Sequence, residues 1–197
     1  MPASNAVFCS RSIRLATAGI ALLAQMSAVS SGSAATTRGT PSQPVMSPSA
    51  PIIESHPDWI VVRDVEFGFT LRCPPNLVRL PEPSPLPDRR PSLVARLRLL
   101  DRELAAGDTA QLEPPTLAVE IFAPTAEPLR DWLKRNGRQA AGVSPVTVPG
   151  AIEAVRVRFP RLSAPNDFLY VRTARAVLAL IPLGADGEAA LSTLQLD

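Results

Sequence analysis

The segment FGFTLRCPPNLVRL (residues 67–80) combines the pattern of a strand with an abrupt stop. Apolar residues or cysteine occupy every second position from Val65 to Cys73, and this period of two is typical of a strand with one buried face. Pro74 and Pro75 follow at once, and proline cannot donate a hydrogen bond to a neighbouring strand. The segment therefore predicts a strand that ends before the prolines and whose inner face contributes to the core.

The rest of the chain predicts a mixed α+β domain. Leu129, Trp132 and Leu133 have the spacing of one helical face, and Thr125 is the expected N-cap of that helix. Residues 93–104 fit both helical and strand spacing, and we favour a strand. We expect one largely antiparallel β-sheet flanked by helices on both faces. The expected strands are 59–64, 65–73, 93–100, 116–123, 144–150, 151–160, 167–173 and 175–184, and the expected helices are 125–137 and 186–196.

Three regions are expected along the chain. Residues 1–35 have the pattern of a secretory signal peptide, with two arginines before the apolar run 15–26 and small residues at 31–35 for cleavage. An apolar run of this length is too short to predict a membrane anchor. Residues 36–57 are rich in Ser, Thr and Pro, so we expect a disordered linker there. The folded domain is expected over 58–197.

Removal of the predicted signal peptide changes the charge balance. The chain has 20 basic and 18 acidic residues, and loss of Arg11 and Arg14 leaves 18 of each. A formally neutral chain does not indicate nucleic-acid binding. We expect a monomer that is periplasmic or secreted, with membrane attachment only if the N-terminal segment is retained.

Few residues of the chain suit catalysis. His56 is the only histidine, so one chain cannot form a multi-histidine metal site or a histidine-dependent triad. Cys73 is expected as a buried core thiol, with a disulfide between two chains as the alternative. The acids between 58 and 66 lack the spacing of a calcium loop, and Ser192 has no evident base. We therefore expect no catalytic residue, no cofactor and no metal site.

Six arginines occupy polar positions on the expected strands. On adjacent strands their guanidinium groups would form a surface for an acidic partner, since arginine matches carboxylates and phosphates geometrically. The alternative is that they pair with glutamates across the strands and contribute little. The candidate partner surface consists of Arg72, Arg96, Arg98, Arg156, Arg158 and Arg172.

Several phrases of the chain resemble the PsbP-like family. Cys73 stands where that family usually has tyrosine, and Leu194 where it has phenylalanine. The resemblance implies an α/β/α sandwich and a non-enzymatic scaffold. The resembling phrases are FGFTLRCPPNL (67–77), LAVEIFA (117–123), PLRDWLK (128–134), VTVPGAIEAVRVRF (146–159) and ALSTLQL (190–196).

The residues and the resemblance together predict an exported, non-enzymatic domain that binds an unknown protein or small ligand, with an acidic partner as one option. The first alternative is an envelope accessory protein held in the membrane by an uncleaved N-terminal segment, with 36–57 as its spacer. The second is a hydrolase that uses acidic residues or Ser192, and the missing catalytic partners argue against it.

Overall fold

The computed structural model describes residues 50–82, 93–138, 142–159 and 166–197. Within these ranges the chain forms eleven strands and three short helices, each numbered along the chain. The strands are β1 (Ile52–Ser55), β2 (Ile60–Asp64), β3 (Phe69–Cys73), β4 (Leu77–Arg79), β5 (Leu93–Asp101), β6 (Leu117–Phe122), β7 (Gly142–Pro145), β8 (Glu153–Arg158), β9 (Asp167–Arg172), β10 (Val177–Pro182) and β11 (Gln195–Leu196). The helices are α1 (Arg102–Ala105), α2 (Leu129–Arg135) and α3 (Gly184–Leu191).

The strands form two antiparallel sheets. The small sheet has the order β1-β2-β3-β11, and the large sheet has the order β4-β5-β6-β10-β9-β8-β7. Alternate residues of both sheets, such as Val62 and Leu71 from the small sheet and Val119 and Leu178 from the large one, share a single buried core. The two sheets therefore pack face to face across this core.

The predicted α/β/α sandwich, with one sheet and helices on both faces, is wrong. The small sheet covers one face of the large sheet, in the place where we expected a helix. The helices have only 4, 7 and 8 residues, which is too little to cover either face of a seven-stranded sheet. Among the described residues, no helix has the length and apolar character needed to cross a bilayer.

Strand β10 is buried on both faces of the large sheet. Its sequence VLALIP is almost entirely apolar, and it lies between β6 and β9 at the middle of the sheet. Leu178 and Leu180 enter the core shared with the small sheet. Val177 and Ala179 point to the other face, where they join a second core beneath α2. An almost entirely apolar strand of this kind is typical of a central position covered on both faces.

The second core forms where α2 packs on the outer face of the large sheet. Leu129, Trp132 and Leu133 are buried there, as their helical spacing predicts. The Trp132 ring meets the Phe122 ring edge to face at a centroid distance of 5.4 Å and lies 6.1 Å from the Tyr170 ring. Aromatic pairs of this geometry stabilise a core beyond the area that they bury.

Helix α2 begins later than predicted. The Thr125 hydroxyl accepts a hydrogen bond from the Glu127 N–H (3.2 Å) and so stabilises a turn before the helix. The N-cap is Pro128, and the Leu129 N–H donates to a carboxylate oxygen of Glu153 on β8 (2.9 Å). The predicted Thr125 N-cap is wrong, because a side chain from a distant strand satisfies the first turn of the helix.

The predicted helix over 186–196 ends early. Helix α3 stops at Leu191, and β11 then pairs with β3. Between them, the Thr193 hydroxyl accepts a hydrogen bond from the Arg72 N–H (2.8 Å) and lies 2.9 Å from the Arg72 carbonyl oxygen. The spacing of Leu191 and Leu194 fits a helix, but the edge of β3 offers backbone hydrogen bonds that a longer helix would leave unmade.

The small sheet also differs from the prediction at its start. Residues 65–68 form a turn rather than a strand, with Gly68 at a φ of 68°, and Val65 is exposed. Strand β1 pairs with β2 and lies within 36–57, the range for which the sequence predicts a linker. The sheet therefore begins before residue 58, where we placed the start of the domain.

Candidate functional site

The structure separates the six arginines of the predicted partner surface into three regions. Arg72 lies on the outer face of the small sheet, with its guanidinium carbon 5.7 Å from the centroid of the Trp59 ring. The other five lie on the two faces of the large sheet, so the six do not meet on one surface. The face against α2 carries Arg96, Arg98 and Arg172, and the opposite face carries Arg156 and Arg158.

The arginines on the face against α2 are held in shielded ion pairs. Glu82 accepts hydrogen bonds from Arg96 and Arg98, each at 2.7 Å, and the three side chains are only 11% to 12% exposed. Arg172 pairs with Glu153 at 3.2 Å, and Glu153 also caps α2. These arginines therefore hold Glu82 against β5 and hold the start of α2 in place, and little of their surface is accessible to a partner.

A different environment surrounds the arginines on the opposite face. There, an apolar cleft of about 270 Å³ lies between the β7–β8 loop and α3. Within this loop Gly150 has a left-handed conformation (φ 82°) and approaches the backbone of Leu196, which places the loop against the C-terminal strand. The cleft is lined by Val146, Thr147, Val148, Pro149, Arg156, Leu169, Glu188, Leu191, Ser192 and Leu194.

A second cleft, of about 370 Å³, lies above the edge strand β7. It exists because Gly142 and Ser144 are small and stand directly opposite Arg158 and Arg156 in the β7–β8 hairpin. The longer side chains of β8 therefore rise beside an open space, which Asp167 of β9 bounds on its other side. We call this cleft the arginine shelf, and we call the apolar cleft and the arginine shelf together the groove.

Arg156 lines both clefts and joins them. Its guanidinium nitrogens lie 2.9 Å and 3.3 Å from the two carboxylate oxygens of Glu188 on α3, and 3.6 Å from Asp167. The hydrogen bonds with Glu188 raise the pKa of Arg156 further above its ordinary value. A bidentate pair of this kind fixes the orientation of the guanidinium. Arg156 therefore has a fixed guanidinium where the two clefts meet.

Arg158, the other arginine of the shelf, is held much less firmly. Its side chain is 69% exposed, and its nearest carboxylate oxygen, on Asp167, is 3.9 Å away. That distance is too long for a direct hydrogen bond. The N–H groups of Arg158 can therefore donate to a bound anion without breaking a hydrogen bond to a carboxylate of the described residues.

The other candidate residues do not form a reactive site. Cys73 is 2% exposed, and desolvation raises the pKa of its thiol to about 12, so the nucleophilic thiolate is scarce at neutral pH. Its predicted burial is confirmed. The Ser192 hydroxyl donates to the Ala189 carbonyl oxygen at 2.7 Å. His56 is exposed, with its ring 5.6 Å from that of Trp59.

The acidic residues between 58 and 66 do not converge. Asp64 is buried, and its Oδ1 accepts a hydrogen bond from the Phe67 N–H (3.0 Å), while Asp58 and Glu66 are exposed. In the part of the chain that the structure describes, no three His, Cys, Asp or Glu side chains form a cluster that could hold a metal ion. These acids therefore do not form a site of the kind that calcium requires.

Sequence reasoning found the arginines of the groove but missed its walls. The sequence predicted a strand over 144–150, which includes Ser144, Val146 and Val148, and it gave no role to Gly142. The sequence does contain a signal for the arginine shelf, because the turn at Gly150 sets the register between β7 and β8. That register places two small residues opposite two arginines, and this pattern indicates an open basic shelf.

No protein-family model, no curated protein and no solved structure matches this chain. The resemblance to the PsbP-like family therefore stays a prediction from short phrases, and the fold that it implies is the one that the two sheets contradict. The function of the chain has to be inferred from its own geometry.

Proposed function

We propose that this chain is an exported, non-enzymatic binding module and that the groove is its ligand site. The observation that carries the proposal is the junction at Arg156, where an apolar cleft and a basic shelf meet. Ligand sites typically combine an apolar lining with a few fixed polar groups, in volumes of about 300–1,000 Å³. The two clefts together fall within that range.

The side chains of the groove support binding rather than catalysis. Its nucleophile candidate, Ser192, is engaged with a backbone carbonyl, and a general base would have to lie within hydrogen-bond reach of that hydroxyl. The carboxylate of Glu188 is engaged by Arg156. The polar groups are therefore arranged to orient a ligand at the centre of the groove.

Site-specific photo-crosslinking would test the location of the site. Val146 is a partly exposed residue of the apolar cleft, and Leu112 is an 84% exposed residue in the loop that precedes β6. Each would be replaced by benzoylphenylalanine in the full chain, in its native host, and adducts would be read by intact mass. We expect an adduct at position 146 that is absent at position 112. No adduct at position 146, or the same adducts at both positions, would overturn the proposal.

Export rests on the sequence pattern of residues 1–35 and needs its own test. Determination of the N-terminus of the protein recovered from its host would give a start near Ala35 or Thr36 if the signal peptide is removed. A retained segment 1–35 would instead favour the membrane-held accessory protein. Either result leaves the groove as the proposed site, because the groove lies within 142–194.

A further inference from the structure

The two halves of the groove differ in how their charged groups are paired. On the arginine shelf, Arg158 has no carboxylate within hydrogen-bond distance among the described residues, because Asp167 lies 3.9 Å away. In the apolar cleft, Arg156 and Glu188 neutralise each other through their bidentate pair, and most of the other lining residues are aliphatic. A complementary ligand therefore needs an anionic group beside an apolar group.

Arg158 is the part of the shelf that suits an anion best. Arg156 already has two carboxylate neighbours, whereas Arg158 is largely exposed and its contact with Asp167 is long. Guanidinium groups bind carboxylates through paired N–H donors. A carboxylate bound on the shelf would therefore contact Arg158. It would be repelled by Asp167 if it moved from β8 toward β9.

The polar groups in the walls of the apolar cleft favour a peptide over an acyl chain. Thr147, Glu188 and Ser192 interrupt the aliphatic lining. A long acyl chain would cover the remaining lone pairs of the Glu188 carboxylate and of the Ser192 oxygen without offering them a hydrogen bond, and desolvation of such acceptors costs free energy. The backbone N–H groups of a peptide can donate to the Glu188 carboxylate and to the Ser192 oxygen, so a peptide satisfies the same walls.

We infer that the groove takes an extended peptide segment of a partner protein, with a large apolar side chain in the apolar cleft and a carboxylate side chain on the arginine shelf. This inference rests on the proposed function of the groove. In an extended chain, side chains two residues apart point to the same side and are about 7 Å apart. The two clefts adjoin at Arg156, so the expected motif is an apolar residue and an acidic residue with one residue between them.

Fluorescence anisotropy with synthetic peptides tests the assignment. The full chain would be titrated into fluorescein-labelled seven-residue peptides with blocked ends, which contain Leu-Ser-Glu, Glu-Ser-Leu, Leu-Ser-Gln or Ser-Ser-Glu in a Gly/Ser background. We expect saturable binding of one of the two peptides that contain both Leu and Glu. Replacement of its Glu by Gln, or of its Leu by Ser, should weaken binding about tenfold, the usual scale for a charge-assisted hydrogen bond or a buried side chain.

The variant Arg158→Gln tests the shelf. It should weaken binding of the Glu-containing peptide about tenfold and leave binding of the Leu-Ser-Gln peptide within twofold, as a double-mutant cycle requires for a direct contact. Arg135→Gln on α2 is the matched control, because Arg135 is 62% exposed and also paired with a carboxylate. The control should leave both affinities within twofold. Equal binding of the Glu peptide by Arg158→Gln and the parent would overturn the assignment.

Decanoate, added as a competitor and in direct calorimetric titration, separates this inference from the proposed function. One possible result is that decanoate binds, that Arg158→Gln weakens this binding and that no peptide binds. The occupant is then an acyl carboxylate and the peptide inference is overturned, while the groove remains a ligand site. If neither decanoate nor any peptide binds, the peptide inference is overturned, and crosslinking at position 146 decides separately whether the groove binds anything.

Discussion

Both faces of the large sheet carry arginines, but the arginines on the two faces have different environments. On the face against α2, Arg96 and Arg98 share the carboxylate of Glu82 and are almost fully shielded. On the opposite face, Arg156 is fixed by α3, and Arg158 lies largely in solvent. Arginine alternating with apolar residues along a strand therefore does not by itself indicate a binding surface. The neighbours that shield or expose the arginine decide its role.

The neighbours of the arginines differ between the faces, and Glu82 rather than residue size shields Arg98, which lies opposite the small Ala118. Beside Arg156 and Arg158 the adjacent strand offers Ser144 and Gly142, which leave an open shelf. Beside Arg96 the adjacent strand offers Glu120, which is itself buried. The comparison predicts that substitutions on the face against α2 lower stability, whereas substitutions on the shelf lower binding.

The largest effect is expected from Trp132→Ala. Trp132 is buried between α2 and the large sheet and contacts the rings of Phe122 and Tyr170. Truncation of a buried aromatic side chain lowers the free energy of unfolding by about 3–5 kcal/mol. Urea unfolding followed by fluorescence or circular dichroism measures the loss, with Leu112→Ala as an exposed control expected to stay within about 0.5 kcal/mol. A loss below about 1 kcal/mol would show that α2 contributes little to the fold.

A smaller loss is expected from Glu82→Gln. The substitution keeps the size of the side chain but leaves Arg96 and Arg98 without their shared carboxylate in a shielded position. Removing one partner of a shielded ion pair is costly because the remaining charge loses its compensation. We expect a loss of about 2 kcal/mol in the same unfolding measurement. Glu127→Gln is the control, since its partner Arg135 is exposed and such pairs contribute about 0–1 kcal/mol.

Asp64 shows what happens when a buried carboxylate has no such partner. Its Oδ2 is buried without a hydrogen bond, and desolvation raises the pKa of the carboxyl. The folded state therefore binds the proton more tightly than the unfolded state, and stability present at acid pH is lost as the pH rises through the folded pKa.

The variant Asp64→Asn removes this ionisation while its side-chain oxygen can still accept from the Phe67 N–H. We expect the free energy of unfolding of the variant, relative to the parent, to increase from pH 4 to pH 7. The effect should be smaller than the loss in Glu82→Gln, and urea unfolding at several pH values would measure it. A constant difference across this range would mean that Asp64 does not have a raised pKa.

Local patterns predicted most individual elements but not the architecture. The apolar run of β10 acts within the chain, and that strand is confirmed. Of the strands expected over 144–150 and 151–160, the second is found as β8, whereas β7 covers Gly142–Pro145 and residues 146–150 lie in the loop after it. The second sheet depends on β1, which lies in a range whose composition predicts a linker, and on β11, a two-residue strand whose partner β3 lies far away in the sequence. Helical and strand spacing also coincide for the segment around Leu194, and the edge of β3 decides its conformation.

The candidate site was predicted from the sequence only in part. Alternation placed Arg156 and Arg158 correctly on one face of β8, opposite the apolar face of Val155 and Val157. It could not separate them from Arg96 on the other face, because the side of the sheet that a strand residue faces depends on how strands from distant parts of the chain assemble.

The smallest change in stability is expected from Arg158→Gln, on the face of the large sheet opposite α2. Arg158 is largely exposed and its ion pair with Asp167 is long, so its loss should change the free energy of unfolding by less than about 0.5 kcal/mol. The same variant is expected to weaken binding of the Glu-containing peptide about tenfold. Urea unfolding and anisotropy on one preparation would show both results. A stability loss as large as that of Glu82→Gln would instead make the shelf arginine a structural residue, like those on the face against α2.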